Sequence, residues 1–185
     1  RSAYSLNISC IIPFSLPSNL IYYTLTDCFW QPEAVSFCLE CCIFVCSKER
    51  INMIRVERDK VTFYQFLGLR DFPGLIHFVS GREGGVSVGG QAALNLGFMD
   101  EDRDDRVLTN RMSLAEAVGC GVDDFILGEQ KHTTHVEVVT RSQRGRGGRE
   151  KATRLSSTDA LITRETGVCL MVLAADCVPV LMYDP

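Results

Sequence analysis

The sequence predicts an α+β fold with mixed or antiparallel sheets. Short strand-like runs outnumber helical stretches, and the two do not alternate regularly, which argues against a doubly wound parallel sheet. One amphipathic stretch after Asp100 is long enough for a helix. At 185 residues, 46% hydrophobic and 23% charged, the chain can bury a sizeable core. Its net charge of −4 gives no general attraction to nucleic acid or to anionic membranes.

The elements follow in order from Met53. Met53 to Arg58 opens a regular polar/apolar pattern. Val61–Phe66 and Leu75–Ser80 read as strands, with Asp71-Phe72-Pro73-Gly74 as the turn between them. A glycine-rich loop, Gly81 to Gly90, comes next. The acidic run 100–105 suits the positive end of a helix dipole, and that helix continues through Val107, Leu108, Met112, Ala115 and Val118. Gly119 and Gly121 end it. Phe125–Leu127, Val136–Val139, Leu161–Thr163 and Val168–Leu173 read as further strands. Val178–Met182 is apolar too, and Pro179 assigns it to an edge or a bulge.

Residues 1–52 have a different texture. Six of the nine cysteines lie there (Cys10, Cys28, Cys38, Cys41, Cys42 and Cys46), and no helical or alternating period persists. Ala34 to Cys46 is apolar but short for a membrane span. The reading is that Met53 is the native start and that 1–52 is a non-native or disordered extension. The few thiols after it fit a cytoplasmic protein.

Several residues have side chains suited to chemistry. Cys177 ends an apolar run beside Asp176 and Pro179. As a thiolate it can be a nucleophile or a metal ligand, and as a thiol it can simply be a small buried hydrophobe. His132 lies between two strands, three residues before His135. His77, inside an apolar run, reads as structural. Zinc accepts both His132 and Cys177, but a catalytic zinc site takes about three protein ligands and no third is evident. Arg82 and the Gly84-Gly85 backbone can hold an anion, although the loop is neither a P-loop nor a dinucleotide fingerprint. The loop from Thr140 to Arg154 carries Arg141, Arg144, Arg146, Arg149, Lys151 and Arg154 with no aromatic residue, so a solvated loop is favoured over an RNA contact.

Taken in order, these motifs resemble a known family. They are His77-Phe78-Val79-Ser80, Arg82-Glu83-Gly84-Gly85-Val86-Ser87, Leu94-Asn95-Leu96-Gly97, Asn110-Arg111, Gln130-Lys131-His132, Thr158-Asp159-Ala160-Leu161-Ile162-Thr163 and Ala175-Asp176-Cys177-Val178-Pro179-Val180. Over about residues 53–185 the chain is similar to the YfiH-type laccase-domain family, once labelled polyphenol oxidases and now regarded as purine nucleoside phosphorylases. The resemblance implies a YfiH-like α+β domain and phosphorolysis of adenosine, inosine and related nucleosides, with adenosine deamination as a further activity. It implies a His-Cys-His zinc site in which His132 and Cys177 are two ligands. The other histidine belongs to a His-Ala-Gly-Trp-Arg-Gly motif expected beyond Pro185.

Arg82, Asn95, Gln130 and Asp176 become candidates for substrate contact or for orienting the ligands. The family's usual Gln-Val-His-Gly is departed from at Lys131 and Thr133. The resemblance implies purine nucleoside and phosphate as substrates; a monomer is expected, with neither nucleic acid nor membrane as partner. Three histidines are too few for a copper oxidase. The alternatives are a cysteine-dependent hydrolase or amidase using Cys177 with His132 as base, or an inactive truncated fragment that binds metal poorly.

Overall fold

The computed structural model describes residues 7–13, 19–25, 53–99, 101–175 and 178–184. Among the described residues ten strands form two sheets. The larger contains β1 (Asn7–Pro13), β3 (Met53–Arg58), β4 (Val61–Phe66), β5 (Leu75–Ser80), β6 (Phe125–Leu127) and β9 (Cys169–Leu173), in the order β3-β4-β5-β1-β9-β6. The smaller contains β2 (Asn19–Leu25), β7 (Val136–Val138), β8 (Ala160–Thr163) and β10 (Val178–Asp184), in the order β10-β2-β8-β7. Most neighbours are antiparallel, while β6–β9 and β7–β8 are parallel. The α+β expectation with mixed sheets therefore holds. β10 lies at the outer end of its sheet among the described residues, the position that Pro179 predicted.

In the larger sheet β5, β6 and β9 bury both faces, which explains their largely apolar runs. In β9, Cys169 and Met171 point into one core with Phe125 and Leu127 of β6, Phe78 of β5, and Leu114 and Val118 of α2 (Asp104–Val118). Leu170 and Val172 point the other way, into a second core with Ile126, Leu161 of β8, and Leu181 and Tyr183 of β10. The layers are thus helix, larger sheet and smaller sheet. The helix has the predicted ends: Asp104 and Asp105 in its first turn, and Gly119 left-handed at φ +85° as its cap. A short helix, α1 (Leu67–Arg70), follows β4.

Two elements were not foreseen. β1 pairs with β5 and β9, and β2 with β8 and β10, although residues 1–52 carry no persistent period. Partners on both sides, not a pattern within the segment, define a central strand. A native start at Met53 is a statement about the gene and remains a proposal beside this pairing.

The basic loop is more fixed than a solvated loop would be. Arg149 pairs with Asp123 at 2.6 Å, Arg144 pairs with Asp124, and Arg146 donates to Thr153 O. Cys169 is buried and disulfide-bonded. The Cys120 thiol is pushed up to about 12, by burial first and by Asp124 second, so it is inert.

Candidate functional site

His132 sits on the loop that joins β6 to β7, and Asp159, at the entry to β8, fixes that loop. Asp159 is 4% exposed. Its Oδ1 accepts the backbone N–H of Lys131 at 2.9 Å and of His132 at 2.8 Å. Its Oδ2 accepts the N–H of Thr133 at 2.9 Å and the Thr133 hydroxyl at 2.7 Å. Burial alone would raise this carboxyl. The bonds from the Thr133 hydroxyl and from the three backbone N–H groups outweigh it and hold the group below the usual carboxylate range.

The turn is left-handed at His132 itself, with φ +60°, and not at Thr133. The threonine that replaces the family's usual glycine therefore carries no left-handed strain, and its hydroxyl is used. The His132 side chain is exposed and makes no hydrogen bond among the described residues.

Gln130 does not face outward. Its Nε2 donates to Leu173 O at 2.8 Å, and its Oε1 accepts Leu173 N–H at 2.9 Å. The amide thus binds the end of β9 as another strand would. Asp176 and Cys177 follow three and four residues later and lie outside the described residues. Leu173 also packs near Gly97, so the turn at Asn95–Gly97 adjoins the same end of β9.

Asn95 is 3% exposed and bonded inward. Its Oδ1 accepts Gly97 N–H at 3.0 Å, and its Nδ2 donates to Asp102 Oδ2 at 2.9 Å. Ser87 donates to the same oxygen at 2.6 Å, and Asn110 Nδ2 donates to Ser87 Oγ at 2.9 Å and to Asn95 O at 2.8 Å. Arg82 is half-buried, with one guanidinium nitrogen, Nη2, donating to Gly90 O at 3.2 Å and Ala92 O at 2.7 Å. Gly84 and Gly85 are glycines for close packing. A Cβ at Gly84 would lie 1.8 Å from Lys60 O, and one at Gly85 would lie 2.1 Å from Ala93 O.

The structure therefore brings Gln130 and His132 onto one loop at the end of β9, with Asn95 adjoining. Arg82 belongs to the glycine-rich loop and reaches that turn through its own carbonyl, which accepts Leu94 N–H at 2.8 Å. Beside His132 lies an open depression of about 660 Å³, lined by Thr133, Thr134, His135, Val136, Ser156 and Ser157. No group of three His, Cys, Asp or Glu side chains that could hold a metal ion comes together among the described residues. His132, with an unengaged ring on a fixed backbone, fits the part of one ligand.

Sequence reasoning missed Asp159 and Arg111. A carboxylate opening an apolar strand needs buried partners, and that is the signal by which Asp159 could have been found. Arg111 is fully buried in α2 and donates to Leu96 O at 2.8 Å and to Gly148 O at 2.8 Å, with Phe98 beneath it at 4.4 Å.

Comparison with known proteins gives a consistent result. The family model described as multi-copper polyphenol oxidoreductase laccase matches residues 76–185, more than half of the chain. A purine nucleoside phosphorylase of Bacteroides thetaiotaomicron is 33% identical over 132 residues, 71% of this chain and 48% of that protein. Purine nucleoside phosphorylase YlmD of Bacillus subtilis is 38% identical, over 56% of this chain and 37% of its own length. An adenosine deaminase from an unknown prokaryotic organism is 37% identical, over 43% of this chain and 30% of its own. The crystal structure of YlmD from Geobacillus stearothermophilus superimposes with a TM-score of 0.58 at 31% identity, covering 64% of this chain and 43% of that one. The chain spans less than half the length of each of these relatives.

Proposed function

From the premise that this chain belongs to the multi-copper polyphenol oxidoreductase laccase family, we propose that it carries part of a purine nucleoside phosphorylase. The substrates are adenosine, inosine and related nucleosides with phosphate, and adenosine deamination is a second activity of the same site. The observation that carries this reading is the convergence at the end of β9. Gln130 binds Leu173 on both sides of its peptide, while Asp159 fixes the neighbouring turn that presents His132. The names of the relatives support the substrate class.

His132 and Cys177 would hold a zinc ion together with a histidine from outside this sequence. When bound, such an ion supplies Lewis-acid polarisation. The protein's own groups do the rest. Asp159 holds the ligand turn, and Gln130 holds the strand end that leads to Cys177. The part of the Arg82 guanidinium not spent on Gly90 O and Ala92 O binds a phosphate oxygen. No helix among the described residues is long and apolar enough to cross a membrane.

The test uses the full-length gene product with adenosine and phosphate, and follows adenine, inosine and hypoxanthine by chromatography beside a Cys177→Ala control. Phosphate-dependent release of base that disappears in the variant is the expected result. A folded, zinc-containing protein that turns over none of these nucleosides would overturn the reading. Activity that survives a chelator would replace the metal site with a thiol–imidazole pair.

A further inference from the structure

We propose that Asp159 and Thr133 form a clamp that positions His132, and that this clamp sets how well the site binds its metal. The proposal rests on the reading of His132 as a ligand. Four donors converge on one buried carboxylate: the N–H groups of Lys131, His132 and Thr133 and the Thr133 hydroxyl, all within 2.9 Å. The far end of the same loop is bound in the opposite sense. His135 O accepts the N–H groups of Asp159 at 3.3 Å and Ala160 at 3.2 Å. The loop is thus held at both ends on the start of β8, whose own place is fixed by pairing Val136 with Ala160 and Glu137 with Leu161.

This double attachment explains a backbone that would otherwise be unfavourable. His132 has φ +60°, a conformation uncommon for a residue with a Cβ and one that surrounding contacts can fix. Three successive N–H groups pointing at one carboxylate do so. The imidazole takes no part in the clamp, so the turn is rigid while the ring stays available. Gly128, at the base of the loop, brings the chain this close to β8: a Cβ there would lie 2.2 Å from Thr158 O. Asparagine cannot replace Asp159, since its NH₂ would face donors.

The full-length protein is compared with Asp159→Asn and Thr133→Val. Hydrogen exchange is read at the amides of Lys131, His132 and Thr133, and zinc affinity is read by competition with a chelator. In Asp159→Asn the three amides are expected to exchange about tenfold faster or more, and zinc affinity to fall about 10–100-fold. Thr133→Val, which removes one hydroxyl, moves both in the same direction by a smaller factor, and it decides the matter alone if Asp159→Asn does not fold. Unchanged amide exchange in the folded variants overturns the clamp. Faster exchange with unchanged zinc affinity overturns its positioning role. A wild-type protein that holds no zinc overturns the ligand reading of His132, and amide exchange then still decides whether the clamp exists.

Discussion

Between Gly81 and Gly97 polar side chains bond inward along with the backbone: Ser87 and Asn95 both donate to Asp102, with Asn110 beneath them. Between Gly128 and His135 the backbone bonds inward, to Asp159 and to β8, together with the Gln130 amide and the Thr133 hydroxyl, and the side chains of His132, Thr134 and His135 are exposed. Both loops are glycine-assisted and both adjoin the end of β9, yet they do different work. The first is a frame whose polar groups are already engaged. The second is a rigid support for the His132 ring, which makes no hydrogen bond among the described residues, whereas the neighbouring His135 ring pairs with Glu137. A residue type suited to chemistry is informative only once the partners of its polar atoms are known. By that measure His132 gains as a candidate and Asn95 becomes part of the frame.

The largest effects should come from the frame. Arg111→Leu would leave the carbonyls of Leu96, Gly147 and Gly148 without their buried donor and remove the cation over Phe98. A loss of about 3–5 kcal/mol is expected, read from the urea midpoint of the full-length protein. A loss under about 1 kcal/mol would mean that loops 81–97 and 140–154 hold together without it.

Next comes a pH effect at His77, in the strand that feeds the first loop. Its Nε2 accepts Phe66 N–H at 2.8 Å, so the neutral ring is favoured, and Nδ1 has no partner among the described residues. Burial lowers its pKa from 6.5 to about 4, against a smaller opposing contribution from the Phe66 carbonyl. The unfolded chain therefore binds the extra proton first, and stability falls as pH drops from about 6.5 to 4. The full effect is about 3 kcal/mol. His77→Gln, which keeps an acceptor for Phe66, should flatten that slope.

Much of the layout was legible because periodicity and punctuation determined it locally. Asp104 and Asp105 opened the helix, Gly119 closed it, and Pro179 kept β10 to an edge. β1 and β2 were not legible, since central strands are defined by neighbours far along the chain. The site was legible as residue types and less so as roles. In sequence Gln130 is a candidate for substrate contact or for orienting the ligands, and in the structure its amide is bonded to Leu173 at both ends. Asp159 looks like a strand-edge acid until its four donors are seen.

A smaller effect separates the two glycine-assisted loops. Gly84→Ala places a methyl 1.8 Å from Lys60 O at φ +88°, and should cost about 2 kcal/mol, seen as a lowered Tm. If the glycine-rich loop instead served mainly to bind an anion, the same change would leave Tm intact and raise the KM for phosphate.

The smallest effect on folding is expected at the residue with the largest expected role. The His132 side chain is exposed and bonded to nothing described, and its backbone N–H to Asp159 survives any side-chain change. His132→Ala should therefore shift the urea midpoint by no more than about 0.5 kcal/mol, while nucleoside turnover and bound zinc are lost. The contrast with Arg111→Leu is the point of the measurement. A frame residue takes stability and function together, whereas a presented one takes function alone. If His132→Ala were as destabilising as Gly84→Ala, the ring would be part of the packing. The loop would then belong with the frame, and the distinction between the two loops would fail.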